Sequence, residues 1–174
     1  MLLWINGPFG GGKTTTMGEL LALLPDAVTF DTEQIGYAIA PTLKGVTRVR
    51  DFQDWAPWRE IAVASLVSLE RFARRVVVVP QTIVVEQYWD EIVSGLADAR
   101  VIVKAFTLDC DPAEHERRIA ADVVEAPAAG WRRERADDFY AARSWLGVKT
   151  DIIDTTALPP VEVATRIAAE LDRS

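Results

Sequence analysis

The chain has 174 residues, 49% of them apolar, and 19 Lys and Arg stand against 26 Asp and Glu for a formal charge of −7. That length suits one domain with an ample core, and the acidity argues against a nucleic-acid backbone as main partner, since phosphate binding asks for a basic face. One cysteine, Cys110, leaves no internal disulfide, and one histidine, His115, leaves no Cys/His zinc cluster.

Met1 to Ile5 is a short apolar run of the kind a doubly covered parallel strand needs. No basic leader precedes it, so no signal peptide is expected. A turn over Asn6 to Gly12 leads into a helix over Lys13 to Leu24, with Leu20, Leu21, Leu23 and Leu24 apolar. Ala27 to Phe30 reads as a second strand ending at Asp31, and a short helix is expected through Ile35 to Ala40. Pro57 opens a long helix to Arg75 that would bury Ile61, Leu66, Leu69 and Phe72. Val76 to Val79 is a third strand, far too short to span a bilayer. A helix over Trp89 to Ala97 and a strand over Val101 to Leu108 follow.

Asp111-Pro112 is a helix-entry signal. It opens an Arg-rich stretch over residues 117–143, with Arg117, Arg118, Arg132, Arg133, Arg135 and Arg143, read as a mobile lid whose tip is Ala126 to Gly130. Asp151 to Asp154 is a fifth strand and Val161 to Leu171 a closing helix. That helix carries an apolar stripe over an acidic face of Glu162, Glu170 and Asp172, which suits core packing rather than a membrane surface. Strands alternating with helices predict a three-layer α/β/α domain around a five-stranded parallel sheet. A single domain over residues 1–174, cytoplasmic and of open oligomeric state, is expected.

Gly7-Pro8-Phe9-Gly10-Gly11-Gly12-Lys13-Thr14 fits the phosphate-loop pattern G-x-x-x-x-G-K-[ST]. Glycines let the backbone approach phosphates and turn N–H groups inward, while the next helix points its positive end at them. Gly7, Phe9, Gly10, Gly11, Gly12, Lys13, Thr14 and Thr15 are the candidate nucleotide contacts. Lys13 would reach the β- and γ-phosphates, and Thr14 would ligate Mg²⁺. The dinucleotide pattern fails, because Thr15 stands where its third glycine belongs. A GTPase reading fails too: Val148-Lys149-Thr150-Asp151 has valine in place of the guanine-reading amide.

Small phosphate-loop kinases fit the length. In them a carboxylate after the second strand faces the acceptor, here Asp31, which would take the hydroxyl proton or hold Mg²⁺ through water. Asp31 is equally suited to cap the following helix. Arg118 or Arg117 is the candidate lid arginine for the transferring phosphoryl group and for ATP. The third strand ends Val79-Pro80-Gln81-Thr82, with no aspartate to orient a second magnesium ligand, which weakens a hydrolase reading. Phe52, Trp55 and Trp58 with Arg59 lie where an acceptor would be covered, suiting a ring-bearing acceptor or ordinary packing.

The chain resembles the tunicamycin-resistance protein family. The resemblance runs from Trp4-Ile5-Asn6-Gly7 through Phe9-Gly10 and Gly12-Lys13-Thr14, then Asp31 and Glu33 before Gly36. Asp51-Phe52-Gln53 with Trp58-Arg59, Val79-Pro80, Thr82-Ile83-Val84, Phe106-Thr107-Leu108 and Thr150-Asp151 continue it. It implies an ATP-binding, nucleoside-kinase-like fold and protection against an antibiotic bearing uracil, sugars and a fatty acyl chain, either by phosphorylation or by sequestration. The candidate acceptor contacts are Asp31, Phe52, Trp55, Arg59 and Thr82, and the metal contacts Thr14 and Asp31. Asp122 and Asp138 replace basic residues of the family's lid, which makes a shifted role for Arg132 or Arg133 plausible.

Overall fold

The computed structural model describes residues 1–124 and 126–171. Strands β1 (Leu2–Asn6), β2 (Val28–Thr29), β3 (Val77–Pro80), β4 (Val103–Asp109) and β5 (Asp151–Asp154) form one parallel sheet in the order β2-β3-β1-β4-β5. Among the described residues seven α-helices connect or flank them. These are α1 (Lys13–Leu23), α2 (Glu33–Leu43), α3 (Ala56–Ala73), α4 (Glu86–Asp98), α5 (Pro112–Ala121), α6 (Ala129–Lys149) and α7 (Pro160–Leu171).

The two-residue period of β1 builds both cores. Leu2 and Trp4 face a layer made by Trp58, Leu66, Ile92 and Leu96 of α3 and α4. Leu3 and Ile5 face the opposite layer with Leu20 of α1 and Val163, Ala164 and Ile167 of α7. The five-stranded, doubly covered sheet is therefore as expected. From β1 the chain runs outward to β2, returns through β3, and then fills the other side with β4 and β5. The crevice at the C-terminal ends of the strands opens beside β1, where such sheets bind ligands.

Several boundaries and faces differ from expectation. In α3 the buried stripe is Trp58, Ala62 and Leu66, spaced by four. Ile61 and Phe72 are exposed, Phe72 to 90%, and Leu69 is half-buried. Each lies off the stripe by one residue's rotation or more, so apolarity alone misplaced them. β2 pairs over two residues only, as an edge strand. α2 is longer than expected and carries Pro41 inside. The Ala126–Ala128 segment forms a 3₁₀ turn, and Gly130 already lies in α6. Asp172 lies outside the described residues. No helix among those described is long and apolar enough to cross a membrane.

Candidate nucleotide and acceptor site

The loop after β1 is built to leave amides open. Gly12 caps α1 in the left-handed region (φ 94°) without any side-chain cap, so the first-turn N–H groups of α1 lack intrahelical acceptors. At Gly7 (φ 147°) a Cβ would meet the Leu108 carbonyl oxygen at 2.8 Å, a close approach that only glycine allows. Buried Asn6 fixes the exit from the strand: its Oδ1 accepts from Gly7 N at 2.8 Å and Ile83 N at 3.0 Å, and its Nδ2 donates to Ile83 O. Lys13 folds back over the loop and donates to the Gly7 and Pro8 carbonyls at 3.0 and 2.9 Å. Burial lowers its pKa to about 8, with Arg132 adding to the fall and Glu33 opposing it.

A cavity of about 890 Å³ spreads from this loop toward β2. It brings together Phe9, Gly10, Gly12, Lys13, Thr14, Thr15, Asp31 and Phe52 of the expected residues. Asp31 accepts from Glu33 N at 2.9 Å and from the Gln34 side-chain amide at 3.0 Å, while the N-cap position of α2 falls on Thr32. Glu33 and Asp51 line the same space. Burial, then the neighbouring Asp31, pushes the Glu33 carboxyl up, and burial does the same for Asp51 despite Arg135.

Of the six arginines between residues 117 and 143, Arg132 and Arg135 of α6 line this cavity. Arg132 pairs with Asp122 at 2.7 Å. Arg135 bonds Asp51 and Asp138, each at 3.2 Å, and Arg50 joins Asp138 at the same distance, so these four residues clasp α6 to the loop before α3. Trp131 packs its ring on Phe9, 4.5 Å between centroids. Buried His115 of α5 ties α6 to the loop, with Nε2 2.9 Å from Phe9 O and Nδ1 2.8 Å from the Tyr140 hydroxyl.

Arg117 and Arg118 stand elsewhere. Both hold Glu114, whose pKa falls to about 2 chiefly through its bond to Arg117. Arg118 also bonds Thr155 O and Oγ1. They line a second cavity of about 590 Å³, with Gly11 and the Thr155–Pro160 loop, on the β5 side of the phosphate loop. Arg133 pairs with Glu116 on the outside.

Three expected acceptor contacts lie outside the lining of the main cavity. Thr82 is buried and donates to Gly7 O at 2.7 Å, bracing the phosphate loop. Arg59 is buried against Glu91, the Gln53 carbonyl and the Tyr88 ring, 4.2 Å from its centroid. Trp55 is buried and faces a neighbouring groove instead of the main cavity. The carboxylate missing after β3 is replaced by Gln81, buried against Thr32 Oγ1 at 2.6 Å. Lys149 of the rejected guanine string pairs with Glu86 and Asp90 on α4.

Sequence reasoning missed Glu33, Asp51 and Arg135 as cavity residues. For the arginine a signal existed: Arg135 extends the buried stripe of Phe139, Ala142 and Leu146 by one turn, while Arg133 lies off it.

Among the described residues no group of three or more His, Cys, Asp or Glu could hold a metal ion. Mg²⁺ keeps most of its waters and takes one or two protein ligands beside phosphate oxygens. Thr14 and Asp31, both at the cavity, fit such a part.

Comparison with solved structures agrees with this geometry. The tunicamycin resistance protein of Deinococcus radiodurans is 27% identical, with a TM-score of 0.76 over 98% of this chain and 95% of that one. A gluconokinase from Sinorhizobium meliloti 1021 (17% identity, 98% and 91% covered, TM-score 0.69) shares the fold. So does shikimate kinase from Aquifex aeolicus (16%, 99% and 97%, TM-score 0.57). The fold is that of phosphate-loop kinases, and the similarity to a tunicamycin resistance protein read from the sequence is borne out. No curated protein matches the sequence. The family model described as an AAA domain matches residues 2–136, more than half of the length, and the chain belongs to that family.

Proposed function

We propose that this protein is an ATP-dependent phosphotransferase acting on a hydroxyl of a nucleoside-like small molecule, with tunicamycin as the first acceptor to test. The observation that supports it is one cavity holding the open amides of the phosphate loop and Lys13, with Asp31 and Glu33 on the β2 side and Arg132 from the lid. The second cavity lies across the loop on the β5 side, so the nucleotide base belongs there, against Arg117, Arg118 and the Thr155–Pro160 loop.

When bound, MgATP supplies the transferable phosphoryl group. The loop amides and Lys13 bind and orient its phosphates, and Thr14 and Asp31 are the protein groups for magnesium. Glu33, held above the usual carboxylate range by burial, is suited to take the acceptor's proton, while Asp31 orients the turn that carries it. Arg132 offers positive charge where the phosphoryl group would pass. Residues 117–143 act as the lid, and Trp131 on Phe9 excludes water when it is down.

A second reading is sequestration without chemistry. It is favoured by the pairing of Arg132 with Asp122 and Arg135 with Asp51, and by the absence of a carboxylate after β3. Mass spectrometry of tunicamycin and of a nucleoside panel after incubation with MgATP separates the two. A gain of one phosphoryl group, lost in Lys13→Ala, supports transfer. An unchanged ligand that co-purifies with the protein supports sequestration and overturns transfer.

A further inference from the structure

We infer that His115 is a positioning residue for phosphate binding: it pegs the Phe9–Gly10 peptide so that Gly10 N–H is aimed into the anion cradle, and Tyr140 holds the peg in place. This rests on the reading of the loop after β1 as a nucleotide phosphate site. A cradle binds phosphate only with its carbonyls turned away, and Gly10, Gly11 and Gly12 have no side chains to keep them so. The neighbouring carbonyls have other partners. Gly7 O accepts from Thr82 and Lys13, and Pro8 O from Lys13 and Gly11 N. For Phe9 O the partner is His115 of α5, 2.9 Å away.

The partners set the ring's proton. A carbonyl only accepts, so Nε2 carries the hydrogen, and Nδ1 of the neutral ring accepts from the Tyr140 hydroxyl at 2.8 Å. Tyr140 thereby favours the tautomer that can hold the loop. Across a trans peptide the C=O and N–H point in opposite directions. His115 is buried and lines neither the main nor the second cavity, whereas Gly10 lines both. Drawing Phe9 O down to the ring therefore turns Gly10 N–H toward the open space. Among the described residues that amide has no partner within the protein. One turn along α5, Ile119 lies so close that a Cβ on Gly10 (φ 82°) would meet its Cγ1 at 3.1 Å. The buried face of α5 thus supports the loop twice, with a donor at His115 and an apolar stop at Ile119.

Calorimetry of MgADP binding to the intact protein tests this, with near-ultraviolet circular dichroism verifying that each variant is folded at the temperature used. His115→Leu, which fills the space without a donor, is expected to weaken MgADP at least about fivefold. His115→Gln keeps a side-chain amide for Phe9 O and is expected to stay within about twofold of wild type. Tyr140→Phe keeps the ring but removes its outer partner, and is expected to fall between the two. Unchanged affinity in His115→Leu, or equal losses in the Leu and Gln variants, overturns the inference. If His115→Leu does not fold, unchanged affinity in Tyr140→Phe overturns it instead. Failure of wild type to bind MgADP would sink the nucleotide reading, and the peg is then read from the Gly10 amide resonance of the free protein. A single sharp signal in wild type that broadens or splits in Tyr140→Phe supports the peg, and identical spectra overturn it.

Discussion

Nucleotide binding should draw a proton onto Lys13. Burial holds this ammonium near a pKa of about 8, against an ordinary 10.5, and it donates to two loop carbonyls. Phosphate oxygens beside it restore the charged form. If they return the pKa to its ordinary value, uptake is about 0.1 proton at pH 7, about 0.5 at pH 8 and about 0.9 at pH 9. The binding constant then falls about tenfold between pH 7 and pH 9, about 1.4 kcal/mol. The diphosphate's own titration, near pH 6, lies below this window. Calorimetry of MgADP binding in buffers of different ionisation enthalpy reads the uptake directly. Lys13→Arg, charged throughout, should show none at any affinity. The sign for the free protein is opposite: a cation with a depressed pKa binds fewer protons folded than unfolded. Its burial penalty is therefore relieved as pH rises from 8 toward 10.5, and stability from this group rises there. Buffer-independent binding heats at pH 8 would refute the argument.

Other expectations follow from the supports around the cavity. Arg135 and Asp51 should couple by about 1–3 kcal/mol in a double-mutant cycle of Arg135→Ala and Asp51→Asn followed by urea unfolding, and additivity would dismiss the clasp. His115→Ala should cost about 2–4 kcal/mol, because Phe9 O and the Tyr140 hydroxyl lose a shared partner. Burial lowers the His115 pKa, so wild type should lose stability as pH falls through about 6.5 and below. Thermal melts across pH 5 to 8 would show this slope diminished in the variant. Arg59→Ala should cost about 2 kcal/mol of stability while leaving the KM for MgATP unchanged, since Arg59 meets Glu91 and Gln53 away from the cavity. A selective loss of ligand affinity with full stability would return Arg59 to the binding site.

The local elements and the phosphate loop were legible because their causes are local. A run of apolar residues both of whose faces must be covered makes β1, and the glycines with Lys13 and Thr14 make an anion cradle between a strand and a helix whatever lies farther off. The place of Asp31 just after β2 and its bond to Glu33 N likewise depend on near neighbours. Tertiary structure decided which charged groups meet. Six arginines between residues 117 and 143 look alike in the sequence, yet the buried stripe of α6 turns Arg135 inward and Arg133 out, and α5 commits Arg118 to Thr155. Arg59 and Thr82 find their bonding partners in the same way. Their partners Glu91 and Gly7 lie 32 and 75 residues away. Helix phase and strand order, set by burial of the whole core, choose such partners, and no short-range pattern encodes them.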